Sequence, residues 1–479
     1  MVRDPGLAMV MPFKPVILWT DALIYLLLAV SIAYGIYAAR HEHLRAPWRQ
    51  VRRNPLAMAA LVVLAAYFLT GLADSIHFRI RLNGPQAGVE RPIYSPQVLS
   101  ALDLLCAPLR THVEQTYSAP FALYAFTPQM IRLPDGSHVL EYPRLRYAGA
   151  GLKVPGDRLR DITVRCLRAA AESLLLWAAI VGAVVVWRVR QPLESPRAAL
   201  TRLARGETDT PWRAMLASLG VVILFVAAVA NLGGAYHILG TDQVGQDVLF
   251  EAIKSIRTGL LIGTLTTLVM LPFALAMGVM AGYFGGWVDD LIQYIYTTLS
   301  SIPSVLLIVA GILSLDLYMA NHAATFDNIA QRQDVRLLSL CIILGVTTWT
   351  GLCRLLRGET MKLRNMDYIQ AAVALGVRSR RIMTRHIIPN VMHIVLINVV
   401  LNFSGLVLAE AVLSYVGVGV DPSMNSWGNM INGARLEMAR DPVVWWSLAA
   451  AFLFMFTLVL AANLFADAVR DAFDPRMRK

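Results

Sequence analysis

Nine stretches of this chain are long and apolar enough to cross a bilayer, and this constrains the fold more than any other feature. They cover residues 16–39, 56–73, 173–187, 211–236, 257–283, 291–315, 337–356, 392–416 and 443–467. A spanning helix needs about 20 mostly apolar residues, because backbone N–H and C=O groups in hydrocarbon have only each other to bond. Composition agrees: 57% of the 479 residues are apolar and 16% are charged, and the mean hydropathy is +0.55, far from a water-soluble domain. The expected fold class is an all-α polytopic membrane protein. The first stretch is too long for the apolar region of a cleaved signal and lacks a small-residue cleavage site, so it is read as a permanent helix.

Orientation follows from the short basic loops, since Lys and Arg beside a span stay on the cytoplasmic side. Arg40, Arg45, Arg49, Arg52 and Arg53 fill the first, Arg188, Arg190, Arg197, Arg202 and Arg205 the second, and residues 362–385 hold the third. Nine crossings put all three on one side, with a C-terminal tail carrying Arg470, Arg476, Arg478 and Lys479. The expected location is therefore the cell (inner) membrane, multi-pass, with the C-terminus cytoplasmic and the N-terminus outside. The net charge of +11 reflects this topology. Its cations sit beside apolar spans and form no soluble basic domain, which argues for membrane lipid and against nucleic acid as a partner.

These features divide the chain into two N-terminal membrane helices over 1–75, an external segment over 76–168, a membrane helix with a basic loop over 169–210, and a helical core over 211–479. The external segment holds nine prolines, which break any long helix. The alternation over 137–142 and the turn Pro134-Asp135-Gly136 predict hairpin-like structure there. That segment either contacts a delivery protein or packs as a cap on the bundle. Cys106 and Cys166 lie in or beside it, and an oxidising compartment permits a bond between them that sequence alone does not establish. His41-Glu42-His43 is the one tight histidine pair, and its spacing does not put both rings on one helix face, so no metal site is expected.

The most ordered loop lies between the spans ending near 356 and beginning near 392. It reads as two short helices around a glycine. Asp367 is placed to cap the first and Gln370, three residues on, to return the bond. Ala371, Ala372 and Leu375 give a small apolar face, and Gly376 suits the turn that ends the helix. Ser379 opens the second helix, where Arg378, Arg381 and Arg385 share one face, Ile382, Met383 and Ile387 another, and Pro389 stops it. Small side chains admit another protein's surface and an Arg row favours an acidic partner or lipid phosphates. By this chemistry a docking helix and a membrane-surface anchor are equally good readings.

A resemblance separates them. Gln370-Ala371-Ala372, Gly376 and His386-Ile387-Ile388-Pro389 resemble, at matching spacing, the Glu-Ala-Ala coupling loop of bacterial ABC importer permeases. Gln370 stands where that family has Glu, which keeps the cap and loses a charge. The run His237 to Leu249, the turn Ala281 to Asp289, Leu408 to Gly417, Ser426-Trp427-Gly428-Asn429-Met430 and Arg470 to Pro475 are similar to dipeptide and oligopeptide permease C-type subunits. The resemblance covers about half the chain, from 211 onward, and such a set is far more specific than one motif. It implies a six-helix core with three additional helices, and a coupling loop over 359–390. The first core helix is either 211–236 or the one opened by Arg52-Arg53-Asn54-Pro55-Leu56. It also implies a second homologous permease subunit, two ATP-binding subunits carrying ATP and Mg, and an external substrate-binding protein. This chain itself would hold no cofactor and catalyse nothing, and its ATPase-coupling residues would be Asp367, Gln370, Ala371, Ala372, Gly376, Arg378, Arg381, Arg385, His386 and Pro389.

The remaining polar residues fit that reading. No phosphate-cradling Gly-Lys-Ser/Thr loop is present, and the stretch 240–247 reads as a turn leading into an interfacial helix. Asn398 and Asn402 share a face at i, i+4 and Glu410 sits near the outer end of the same helix; each lines the translocation pathway or bonds a neighbouring helix. Pro303 is expected to kink the helix over 291–315. A secondary carrier or channel explains the hydropathy equally well, but calls for paired intramembrane charges or an inverted repeat that the sequence does not display. A membrane-anchored sensor leaves the ordered loop unexplained.

Overall fold

The computed structural model describes residues 13–81, 94–132, 138–152, 154–189, 196–206, 208–322 and 328–473. Strand β1 (Phe13–Val16) leads into α1 (Trp19–Arg40), α2 (Glu42–Val51) and α3 (Pro55–Asp74). A mixed segment follows: β2 (His77–Ile80), β3 (Leu99–Ser100), α4 (Ala101–Leu105), α5 (Ala107–Thr111), β4 (Gln129–Arg132) and β5 (His138–Glu141). Then come α6 (Arg158–Val189), α7 (Pro196–Arg205), α8 (Trp212–Leu232), α9 (Val248–Phe284), α10 (Gly286–Ser301), α11 (Ser304–Asn321) and α12 (Ile329–Arg364). The last are α13 (Asp367–Ala374), α14 (Ser379–Ile382), α15 (Ile388–Tyr415), α16 (Trp427–Glu437) and α17 (Trp446–Phe473). Among the described residues nine helical spans are long and apolar enough to cross a membrane, each overlapping one expected from the sequence.

Two boundaries differ from expectation. The third span, α6, starts at 158, so the mixed segment closes at 157, eleven residues before 168. Ion pairs at i, i+4, Arg165 to Asp161 at 2.9 Å and Arg168 to Glu172 at 2.9 Å, carry the helix through polar residues that hydropathy reads as loop. The expected kinked helix over 291–315 is two helices. Pro303 has no N–H to continue α10 and holds Ile302 in an extended conformation, so the chain restarts at α11.

The two ends of the bundle are chemically distinct. At one end Val51 packs with Ala468, Val469 and Ala472 while Trp48 meets Phe473 edge-on, which brings the first basic loop to the end of α17 and the start of α15. At the other end β1, β2 and β3 form an antiparallel sheet. The hairpin β4–β5 pairs Met130 with Leu140, as the alternation predicts. Its turn at Pro134-Asp135-Gly136 lies outside the described residues, as do Pro85, Pro92, Arg190, Asp474, Pro475, Arg476, Arg478 and Lys479.

The mixed segment is a cap. Its Leu102, Leu109 and Tyr117 are buried with Val248, Leu249, Trp427 and Trp446 of the bundle. Trp446 donates its indole N–H to the Thr241 carbonyl at 2.9 Å. Cys106 and Cys166 are both free thiols.

Helices α9 and α12 are the longest and make the most intimate pair. A Cβ at Gly278 would stand 2.9 Å from the Cys353 carbonyl oxygen, and one at Gly282 would stand 2.6 Å from that of Arg357, so glycine permits the close backbone approach that binds helices in lipid. Of the two candidate first core helices, α3 packs against both α9 and α17, whereas α8 packs on α3 and α6 at the periphery.

Candidate functional site

The loop between α12 and α15 is built as the spacing predicts, with two differences. Helix α13 closes at Leu375 and turns at Gly376, whose φ of +73° is a left-handed conformation that costs glycine little. The expected capping box does not form: the N-cap is Met366, Asp367 lies in the first turn, and the Gln370 amide donates to the Asn365 carbonyl at 3.4 Å. Pro389 does not stop the second helix. A π-helical turn over Met383–Ile387 absorbs the amide that proline lacks, and the helix runs on into α15.

What fixes this loop is a set of side chains on its inner face. Ile369, Ile382 and Ile387 are each at most 1% exposed and pack with Tyr283 at the end of α9, Ile292 and Tyr296 of α10, and Leu352, Cys353 and Leu356 of α12. Ala372 packs against the same cluster. Beside it, Arg357 of α12 donates Nε and Nη2 to the two carboxylate oxygens of Asp289 in α10, at 2.5 and 2.6 Å. These hydrogen bonds hold the Asp289 carboxyl below its ordinary range. Tyr368 accepts a bond from the Asn390 amide at 3.1 Å, and its ring lies 6.4 Å from that of His386.

The outer face is open. Asp367, Gln370, Ala371, Arg378, Arg381, Arg385 and Pro389 are exposed, His386 is half-buried, and Leu375 is 84% exposed. The three arginines make no ion pair among the described residues. The loop is thus a rigid projection with an apolar tip and a cationic flank.

The three pathway candidates separate. The Asn398 amide donates to the carbonyl of Ile394 in its own helix at 3.5 Å. Asn398 and Asn402 are both half-buried on α15, and no bond from either to a neighbouring helix occurs among the described residues. Glu410, expected within reach of water, is 2% exposed. It accepts from Ser414 at 2.7 Å and lies under Gly428, which explains why the Ser-Trp-Gly segment needs a residue without a side chain there.

Two charged clusters at the sheet-bearing end were missed. Arg257 of α9 donates to Asp21 of α1 at 2.7 Å, to Thr20 at 3.1 Å and to Ser75 at 3.3 Å. Asp334 of α12 caps the first turn of α1 through the Trp19 N–H at 2.8 Å and the Thr20 hydroxyl. Paired charges within spanning helices, judged absent from the sequence, are therefore present; their partners lie more than 200 positions apart, so only tertiary structure pairs them. A charged residue in an apolar span was the available signal. The second cluster is His237, whose Nδ1 lies 2.7 Å from Asp247 and whose Nε2 lies 3.6 Å from Glu114 of the cap. Glu114 also accepts the backbone N–H groups of Arg146 and Tyr147, each at 2.8 Å.

A bundle in which nine helical spans of the described residues are long and apolar enough to cross a membrane, with an exposed helix–glycine–helix projection at its basic end, defines a polytopic membrane protein. Residues 274–479 match the family described as binding-protein-dependent transport system inner membrane component. The oligopeptide transport system permease protein OppC of Haemophilus influenzae is 32% identical over 270 residues, spanning 56% of this chain and 76% of its own. OppC of Mycobacterium tuberculosis is 33% identical over 245 residues, 51% of this chain and 78% of its own. The glutathione transport system permease protein GsiD of Pectobacterium atrosepticum is 30% identical over 244 residues, 50% and 73% respectively. The chain belongs to the family of binding-protein-dependent inner-membrane transport components.

Proposed function

We propose that this chain is one of the two permease subunits of an ATP-driven importer for peptides or peptide-like solutes, and that it couples to separate ATPases through the α13–α14 projection. One observation carries the coupling role: the projection is anchored by Ile369, Ile382 and Ile387 to the ends of three helices while its outer face is unpartnered. A force applied at Leu375 and Ala371 passes to α9, α10 and α12 without being lost in loop flexibility. The basic end faces the cytoplasm by the distribution of Lys and Arg, and the cap faces outward, where a substrate-binding protein docks. Helices α3, α9, α11, α12, α15 and α17 form the six-helix core, and α1, α6 and α8 surround it. ATP and Mg belong to the partner subunits. The solute class rests on the relatives' transport of oligopeptides and glutathione.

Affinity purification of the tagged chain in mild detergent with mass spectrometry tests this. Wild type should bring down a second permease and two ATPases; Gly376→Pro, which cannot adopt positive φ, and Arg381→Glu should lose the ATPases and keep the permease. Purification of the wild-type chain without ATPases, or retention of the ATPases by both variants, sinks the coupling role.

A further inference from the structure

A cavity of about 390 Å³ lies between residues 97–113 of the cap and the first turns of α9. Its charged lining comes from Asp103, Arg110, Asp247 and Lys254, with the amides of Gln246 and Asn425 beside them. Three of those charges are already engaged. Asp103 is paired with Lys254 and accepts the Ser100 N–H at 2.8 Å. Asp247 holds His237 and caps α9 through the N–H groups of Leu249 and Phe250, at 2.9 and 3.2 Å. Arg110 differs: its Nε is buried and has no hydrogen-bond partner among the described residues. Buried donors are almost always satisfied in native proteins, and a guanidinium cannot relieve the deficit by losing its proton.

The geometry points to a ligand that Arg110 alone is free to bind: we propose that this cavity receives the carboxylate of a short peptide or peptide-like solute on the external side of the permease. The planar guanidinium fork matches a carboxylate with two parallel bonds. The nearby amides complement the polar backbone of a peptide, and the volume falls within the range of small-molecule sites. A cationic ligand is disfavoured because both acids in the lining are consumed. This proposal rests on the reading of the chain as a peptide importer subunit, and adds to it a recognition step inside the permease, under the cap.

The test uses the complete importer in nanodiscs without its binding protein, titrated calorimetrically with tri-alanine and with tri-alanine amide. The expected result is at least tenfold tighter binding of the free acid, a preference that Arg110→Gln erases and Arg110→Lys partly restores. Equal binding of acid and amide by wild type, an Arg110→Gln complex that keeps the preference, or displacement of tri-alanine by equimolar inorganic phosphate overturns it. Co-purification of partner subunits with both variants controls for folding. ATP-dependent uptake of tri-alanine by the complete system with binding protein separates the two levels. If wild type imports the peptide and Arg110→Gln imports it with unchanged KM and binding preference, only this proposal fails; if wild type imports no peptide, the importer reading fails.

Discussion

His237 holds the cap to the bundle by charge, so its titration sets the pH at which that hold weakens. Burial alone would lower its pKa, but the hydrogen bond to Asp247 and the Glu114 carboxylate 3.6 Å from Nε2 outweigh burial and raise it to about 9 from 6.5. Burial would likewise raise Glu114, and the His237 ring 3.6 Å away together with hydrogen bonds from three backbone amides bring it down to about 2 from 4.5. A raised histidine contributes stability that is complete below its unfolded pKa and disappears as pH climbs through the folded value. A lowered carboxyl contributes above its unfolded pKa and fails as pH falls through the folded one. The clasp is therefore complete between about 4.5 and 6.5 and erodes toward 9. Limited proteolysis of the cap in purified protein should quicken between about pH 6.5 and 9.5. His237→Gln should cleave faster at the lower pH and show little further change; a pH-independent wild type contradicts the assignment. The sequence marked His237 through Asp247 as a motif, but its partner Glu114 comes from a segment of unremarkable composition and was not legible.

At the scale of elements, the α13–α14 projection is anchored by its inner face, and the proposed coupling depends on that anchoring. Ile369→Ala and Ile382→Ala each remove a fully buried side chain, at a cost of about 2–5 kcal/mol. They should loosen the projection without disturbing the membrane helices. The expected outcome is loss of solute-stimulated ATP hydrolysis by the assembled importer with basal hydrolysis retained, measured by phosphate release. Full stimulation in both variants would show that the anchoring is dispensable. The sequence predicted two short helices, the glycine between them and the Ile382–Ile387 face. It did not predict the π-turn or the continuity past Pro389, because helix–proline rules assume a free-standing helix, whereas this one buries its own Val391 and Val395 in the cluster that holds Trp349 of α12. Ile369 escaped notice since one isoleucine in eight residues has no period.

For the whole molecule, Asp21, Arg257 and Asp334 tie the additional helix α1 to the core pair α9–α12. Breaking such a buried pair from one side leaves an uncompensated charge, costing about 3–5 kcal/mol. Arg257→Ala should thus lower the melting temperature in detergent by several degrees. The double change Arg257→Gln with Asp21→Asn should recover much of the loss, since neutral partners still bond. An Arg257→Ala melting curve superimposing on wild type would relegate the network to a surface-like contribution.

The sequence by itself determined the number of spans, the end at which basic loops gather, and the loop that folds as two short helices around a glycine, because hydropathy, charge placement and local turn chemistry act over short stretches of chain. Tertiary structure alone decided that α3 packs on α9 and α17 while α8 packs on α3 and α6, that the described part of the 76–157 segment is a cap, and which distant charges pair. Lipid solvates the flank of every spanning helix equally, so an apolar helix carries little record of its neighbours; they are chosen by close glycine contacts and a few buried polar groups whose partners the order of residues does not disclose.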